Sequence, residues 1–120
     1  MQKKWISLGL MSGTSGDGVD VSIIKSDGES KYKLILDKYF NYGPEISDKI
    51  YKIREKINNS KDLENFSKDL EFIEEKITLF HAKAIEKIIK ENEIDLIGFH
   101  GQTIFHRSLY AKATIIQKLL

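Results

Sequence analysis

The sequence predicts an α/β domain that opens with an antiparallel β-hairpin, continues through helices and then returns to a further strand. Three observations carry this expectation. Two short apolar runs near the N-terminus flank a glycine-rich turn over residues 11–20. An apolar stripe with helical 3-4 spacing follows over residues 63–88, and a compact apolar run over residues 94–99 closes the pattern. Period-3.6 spacing marks a helix with one buried face, whereas short branched runs bounded by turn residues mark strands.

Taken in order, residues 5–10 form the strand entering the turn and residues 19–24 the strand leaving it. Residues 25–30 are polar and contain Asp27-Gly28, a hairpin signal. Residues 31–40, rich in aromatic and branched side chains, give a third strand, so three antiparallel strands open the chain. The only proline, Pro44, follows Gly43 and starts a helix to about residue 57, with Ile46, Ile50, Ile53 and Ile57 on one face. Asn58-Asn59-Ser60 interrupts the pattern, and Ser60 or Asp62 caps the next helix. The stripe of that helix is Leu63, Phe66, Leu70, Ile73, Ile77, Phe80, Ala84 and Ile88. It extends over about 30 residues, roughly 45 Å of helix, a length that readily accommodates a bend. A coiled-coil seam has similar spacing, but a core-facing helix is the expected reading. Residues 94–99 then read as a buried strand.

The 120 residues suit one domain with a core of its own. A hydrophobic fraction of 41% and a mean hydropathy of −0.33 describe a globular chain, neither disordered nor membrane-embedded. Nineteen Lys and Arg against 18 Asp and Glu leave no basic footprint for nucleic acid or an anionic membrane. The absence of cysteine excludes disulfides and thiolate metal sites. The apolar start is short and runs straight into the glycine turn, so it reads as a strand, not a signal peptide. No run approaches the roughly 20 apolar residues of a membrane span. A cytoplasmic protein is expected; an oligomer is left open.

Chemistry concentrates in two places. Between Ser12 and Gly18 lie three glycines, three hydroxyls (Ser12, Thr14, Ser15) and Asp17. Glycine permits close backbone approach, and N–H and hydroxyl donors can converge on phosphate oxygens, with Asp17 or Asp20 holding a hydrated metal ion. A glycine-rich hairpin turn with solvated polar groups has the same composition, and the residues alone leave the two readings level. The second place is His100, Gln102 and Thr103, after the end of a strand. Imidazole, amide and hydroxyl groups suit a hydroxylated sugar, but the residues by themselves favour a strand-end turn with satisfied polar groups. His81 lies near the apolar stripe and reads as structural. His81, His100 and His106 have no ligand-like spacing.

The string Leu10-Met11-Ser12-Gly13-Thr14-Ser15, one further residue, then Asp17-Gly18-Val19-Asp20 closely resembles the N-terminal signature of anhydro-N-acetylmuramic acid kinases. Gly98-Phe99-His100-Gly101-Gln102-Thr103-Ile104-Phe105-His106 resembles that family's His-Gly-Gln-Thr segment. The resemblance covers most of the chain up to about His106. It implies an actin/hexokinase-like (ribonuclease H-like) kinase lobe whose hairpin loop faces nucleotide phosphates. It further implies ATP with Mg2+, and an anhydro amino sugar that is hydrolytically opened and phosphorylated at its 6-position during cell-wall recycling. The implied nucleotide contacts are Gly13, Thr14, Ser15, Gly16, Asp17, Gly18, Val19 and Asp20, with Asp17 the better candidate for a water-mediated metal contact. His100, Gln102 and Thr103 become sugar-side residues. Gly16 stands where the family usually has a large apolar residue, which predicts a looser loop and weaker nucleotide binding.

Family members are considerably longer, so the expectation is residues 1–106 as an N-terminal nucleotide- and sugar-binding lobe, residues 107–120 as a divergent tail, and a second lobe absent. A truncated or frame-shifted longer gene is the expected account, ahead of a compact domain with its own C-terminal helix. The family's general-base aspartate lies in a later motif, so no catalytic residue is assigned here and the isolated chain is expected to be inactive. A non-catalytic nucleotide- or sugar-binding domain and a helical interaction module are the alternatives.

Overall fold

The computed structural model describes residues 3–107 and 112–116. Much of the tail expected over residues 107–120 therefore lies outside the described residues.

Strands β1 (Trp5–Ser12), β2 (Gly18–Ser26) and β3 (Tyr32–Asn41) form the antiparallel meander anticipated from sequence. Alternation decides which side is buried. Leu8 pairs with Ile23, Leu10 with Val21 and Ser12 with Val19, and all six are buried on one face. The register of β2 on β3 shifts between Ile23 and Ile24. The β2–β3 turn is organised by Asp27, whose carboxylate accepts from the N–H groups of Glu29, Ser30 and Lys31 while Gly28 takes a positive φ. These donors lower the Asp27 pKa, the Glu29 bond contributing most.

Helix α1 (Pro44–Lys56) starts where Gly43, at φ 77°, turns the chain and proline fills the first helical turn. Its Ile50 and Ile53 are buried. The stripe expected as one long helix is two: α2 (Ser60–Asn65) and α3 (Ser67–Glu91), divided at Phe66, which leaves helical geometry at φ −107°, ψ 23°. The cap also differs from expectation. Asn59, not Ser60 or Asp62, accepts from the Asp62 N–H, while the Asp62 carboxylate reaches back to the N–H of Asn58. On α3, Leu70, Ile73, Ile77, His81, Ile85 and Ile88 are buried, with Ile85 taking the inward place assigned to Ala84. Apolar members of this row share one buried cluster with Leu8, Leu10, Val19, Val21 and Ile23. The stripe is a core face, not an exposed seam.

Strand β4 (Leu96–His100) lies parallel to β1 and completes the order β3-β2-β1-β4. Asp95 secures its start: its N–H donates to the Ile6 carbonyl, and its carboxylate accepts from the Ile6 N–H, both at 2.8 Å. The sequence predicted a buried strand, but Leu96, Ile97 and Phe99 are exposed; among the described residues β4 is the last strand of its sheet. A separate hairpin, β5 (Gln102–Arg107) with β6 (Lys112–Ile116), was not anticipated.

Candidate functional site

Five residues, 13–17, join β1 to β2. The turn closes through the Gly16 N–H on the Gly13 carbonyl at 3.2 Å. Gly16 has φ 71°, and a Cβ there would approach Ile50 Cγ2 to 3.0 Å. Glycine therefore suits this backbone and its close seat against Ile50 on α1. At Gly18 a Cβ would lie 2.2 Å from the Phe40 carbonyl oxygen, so β3 packs too closely for any side chain. Gly13 differs: among the described residues, a Cβ there would meet only Ser15 Oγ, at 3.9 Å.

The loop's outer surface consists of Thr14, Ser15 and Asp17, all exposed; Asp20 is also exposed, one residue into the strand beyond Val19. Val19, assigned to the nucleotide site by resemblance, is wholly buried, and its side chain serves the core. Helix α1 brackets the loop through two side chains that sequence reasoning missed. The Tyr51 hydroxyl donates to Asp17 Oδ1, and Arg54 Nη1 donates to the Thr14 carbonyl. The two residues stand three apart and so share a helix face, the one signal that could have found them. An open cavity of about 570 Å³ is lined by Thr14, Ser15, Tyr51, Arg54 and Glu55. The Tyr51 pKa is raised, first by its bond to the Asp17 carboxylate. That of Tyr39 is raised by burial and then by the charges of Asp17 and Asp20.

Beneath the loop runs a buried polar chain. Ser12 Oγ is 2.6 Å from Gln102 Oε1 and 2.6 Å from Tyr42 Oη, which is 3.0 Å from His81 Nε2. Gln102 Nε2 donates to the carbonyls of Gly13 at 2.9 Å and Thr103 at 3.0 Å. The Tyr42 N–H donates to the Asp17 carbonyl at 2.8 Å, tying the end of β3 to the same loop. Burial pushes the Tyr42 pKa up to about 12 and that of His81 down to about 4. His81 is structural, as its place in the stripe implied.

The structure brings the two sequence motifs together. His100, exposed at the end of β4, pairs in register with Met11 at the end of β1, beside the loop. Thr103 is half-buried on β5. Gln102, expected on the sugar side, is wholly buried and directed at the loop backbone. Ser12, grouped with the loop hydroxyls from sequence, is likewise interior. Among the described residues no three His, Cys, Asp or Glu side chains converge as a metal site. The donors offered are single exposed carboxylates, compatible with a magnesium ion held mainly by phosphates and water. No described helix is long and apolar enough to cross a membrane.

Comparison with known proteins converges on one family. The family model for anhydro-N-acetylmuramic acid kinase matches residues 5–118, continuing past His106. A relative of that name from Pelagibacter ubique is 56% identical over 110 residues, covering 90% of this chain and 29% of the relative. Relatives of the same name from Agrobacterium fabrum and Methylobacterium nodulans are each 37% identical, covering 84% of this chain and 28% and 31% of their own lengths. The chain thus spans under a third of these relatives.

Proposed function

Since this chain belongs to the anhydro-N-acetylmuramic acid kinase family, we propose that it supplies the nucleotide-phosphate loop, and part of the sugar site, of an ATP-dependent sugar kinase. The observation that carries this reading is the loop itself. A short turn presents Thr14 and Ser15 at the mouth of an open cavity that also holds the Arg54 guanidinium. Phosphoryl transfer asks mainly for positioning and charge neutralisation. Thr14 and Ser15 donate hydroxyl hydrogen bonds to phosphate oxygens, and Arg54 adds a fixed positive charge beside them. Magnesium, when bound, neutralises phosphate charge, with Asp17 holding one of its water ligands and Asp20 as the second candidate.

The meander of three strands, then helices, then a strand returning beside β1 supports an actin/hexokinase-like (ribonuclease H-like) lobe. His100, brought beside the loop by its pairing with Met11, is the favoured sugar-side residue, with Thr103 as the second candidate. The substrate is an anhydro amino sugar, opened by water and phosphorylated at its 6-oxygen in the recycling of cell-wall material in the cytoplasm. The aspartate that activates the water lies outside these 120 residues.

The test is an assay of the full-length protein with 1,6-anhydro-N-acetylmuramic acid and ATP, read by mass spectrometry. ATP-dependent appearance of the 6-phosphate is expected. A folded full-length protein that binds neither ATP nor the sugar refutes the reading.

A further inference from the structure

The buried chain beneath the loop has a single proton order. Gln102 Nε2 faces two carbonyls, of Gly13 and Thr103, and carbonyls only accept, so both amide hydrogens go to them. Gln102 Oε1 is thereby turned to Ser12 and accepts its one hydroxyl proton. With that proton used, the Ser12–Tyr42 bond is donated by Tyr42 Oη. Tyr42 in turn accepts from His81 Nε2, which makes His81 the Nε2–H tautomer. The lone pair left over, on His81 Nδ1, has no partner among the described residues and sits at the end remote from the loop. At the loop end every donor is used, and Ser12, His81 and Gln102 are all at most 1% exposed. Such groups are in no position to touch a substrate.

What they do touch is the Gly13 carbonyl, which also accepts from Gly16. In a planar trans peptide the C=O of one residue and the N–H of the next point in opposite directions. Pinning the Gly13 oxygen inward therefore turns the Thr14 N–H outward. It also keeps a carbonyl oxygen, which would repel an anion, away from the loop's outer surface. We propose that Gln102, held in order by Ser12, Tyr42 and His81, is a positioning residue that orients the glycine loop for a nucleotide's phosphates and makes no contact with the sugar. The proposal rests on the loop being the nucleotide element.

The test compares Gln102→Leu, Ser12→Ala and Tyr42→Phe in the full-length protein, with KM measured separately for ATP and for 1,6-anhydro-N-acetylmuramic acid. Each substitution is expected to raise the ATP KM about five- to tenfold, the order of one lost hydrogen bond, with the sugar KM within about twofold of the parent. Exchange of the Gly16 amide hydrogen should quicken in parallel. Tyr42→Phe keeps the ring against Phe80, at 4.8 Å between centroids, so it decides the matter if Gln102→Leu does not fold. A raised sugar KM with an unchanged ATP KM makes Gln102 a sugar contact and overturns the proposal. An unchanged ATP KM in folded Tyr42→Phe and Ser12→Ala, while Gly13→Val abolishes ATP binding, overturns the positioning role alone. Unchanged ATP affinity in Gly13→Val removes the loop reading and this proposal with it.

Discussion

Replacing Gly13 by valine is expected to abolish nucleotide binding while leaving the fold intact, and the neighbouring Gly18 supplies the contrast. Among the described residues a Cβ on Gly13 meets only Ser15 Oγ at 3.9 Å, an ordinary contact, whereas one on Gly18 lies 2.2 Å from the Phe40 carbonyl oxygen. Valine at 13 should therefore change stability by no more than about 0.5 kcal/mol. Its two added methyl groups occupy the space through which phosphate oxygens approach the backbone. If two charge-assisted hydrogen bonds are lost, each about 1.5–3 kcal/mol, the deficit is about 3–6 kcal/mol, or roughly 10²–10⁴-fold in Kd. Gly18→Ala should instead push β3 from β2 at a cost of about 1–3 kcal/mol. For a protein of more than about 150 residues that corresponds to about 2–4 °C or less in Tm per kcal/mol. Calorimetric titration of ATP into the full-length protein, paired with thermal melts, separates the two effects. Unchanged ATP affinity in a folded Gly13→Val protein would falsify the phosphate-loop assignment, and an unaltered melt for Gly18→Ala would refute the packing argument.

Two further outcomes concern stability. His81 has a folded pKa of about 4 against its ordinary 6.5, so above pH 6.5 both states are neutral and stability is full. As pH falls from about 6.5 to about 4, the unfolded chain takes up a proton that the folded chain refuses. Stability should drop by up to about 3 kcal/mol across that window. Denaturant midpoints from pH 7 to 4 should show a steeper decline in the parent than in His81→Leu, and equal slopes would count against the buried neutral imidazole. Ile77 is fully buried on α3, so Ile77→Ala should cost about 2–5 kcal/mol by chemical denaturation. A loss below about 0.5 kcal/mol would place that face outside the core.

Much of this protein is written locally. Alternation in β1 and β2, the Asp27-Gly28 turn, Pro44 after Gly43 and the stripe on α3 each depend on neighbours a few residues away, and their elements form where the pattern places them. The two motifs that carry the family resemblance are also local strings, and the family match confirms them. Even His81 was legible, because it stands four residues from Ile77 and from Ile85 in an apolar row.

The decisions left to tertiary structure are those that join distant residues. Whether Gln102 meets a sugar or the Gly13 carbonyl, 89 residues away, depends on how β5 comes to lie beneath the loop. The type of side chain is the same in both cases. β4 is apolar enough to read as buried, yet its Leu96, Ile97 and Phe99 are exposed, and among the described residues it is the last strand of its sheet. Gly16 looked like a loss of packing from its chemistry alone. In this chain the turn takes a positive φ at Gly16 and seats it close against Ile50, a backbone that glycine adopts without strain. Sequence sets which groups are available through short-range pattern and propensity. Only the packed fold sets which of them lose water and find one another, because burial and long-range pairing are properties of the whole assembly of elements.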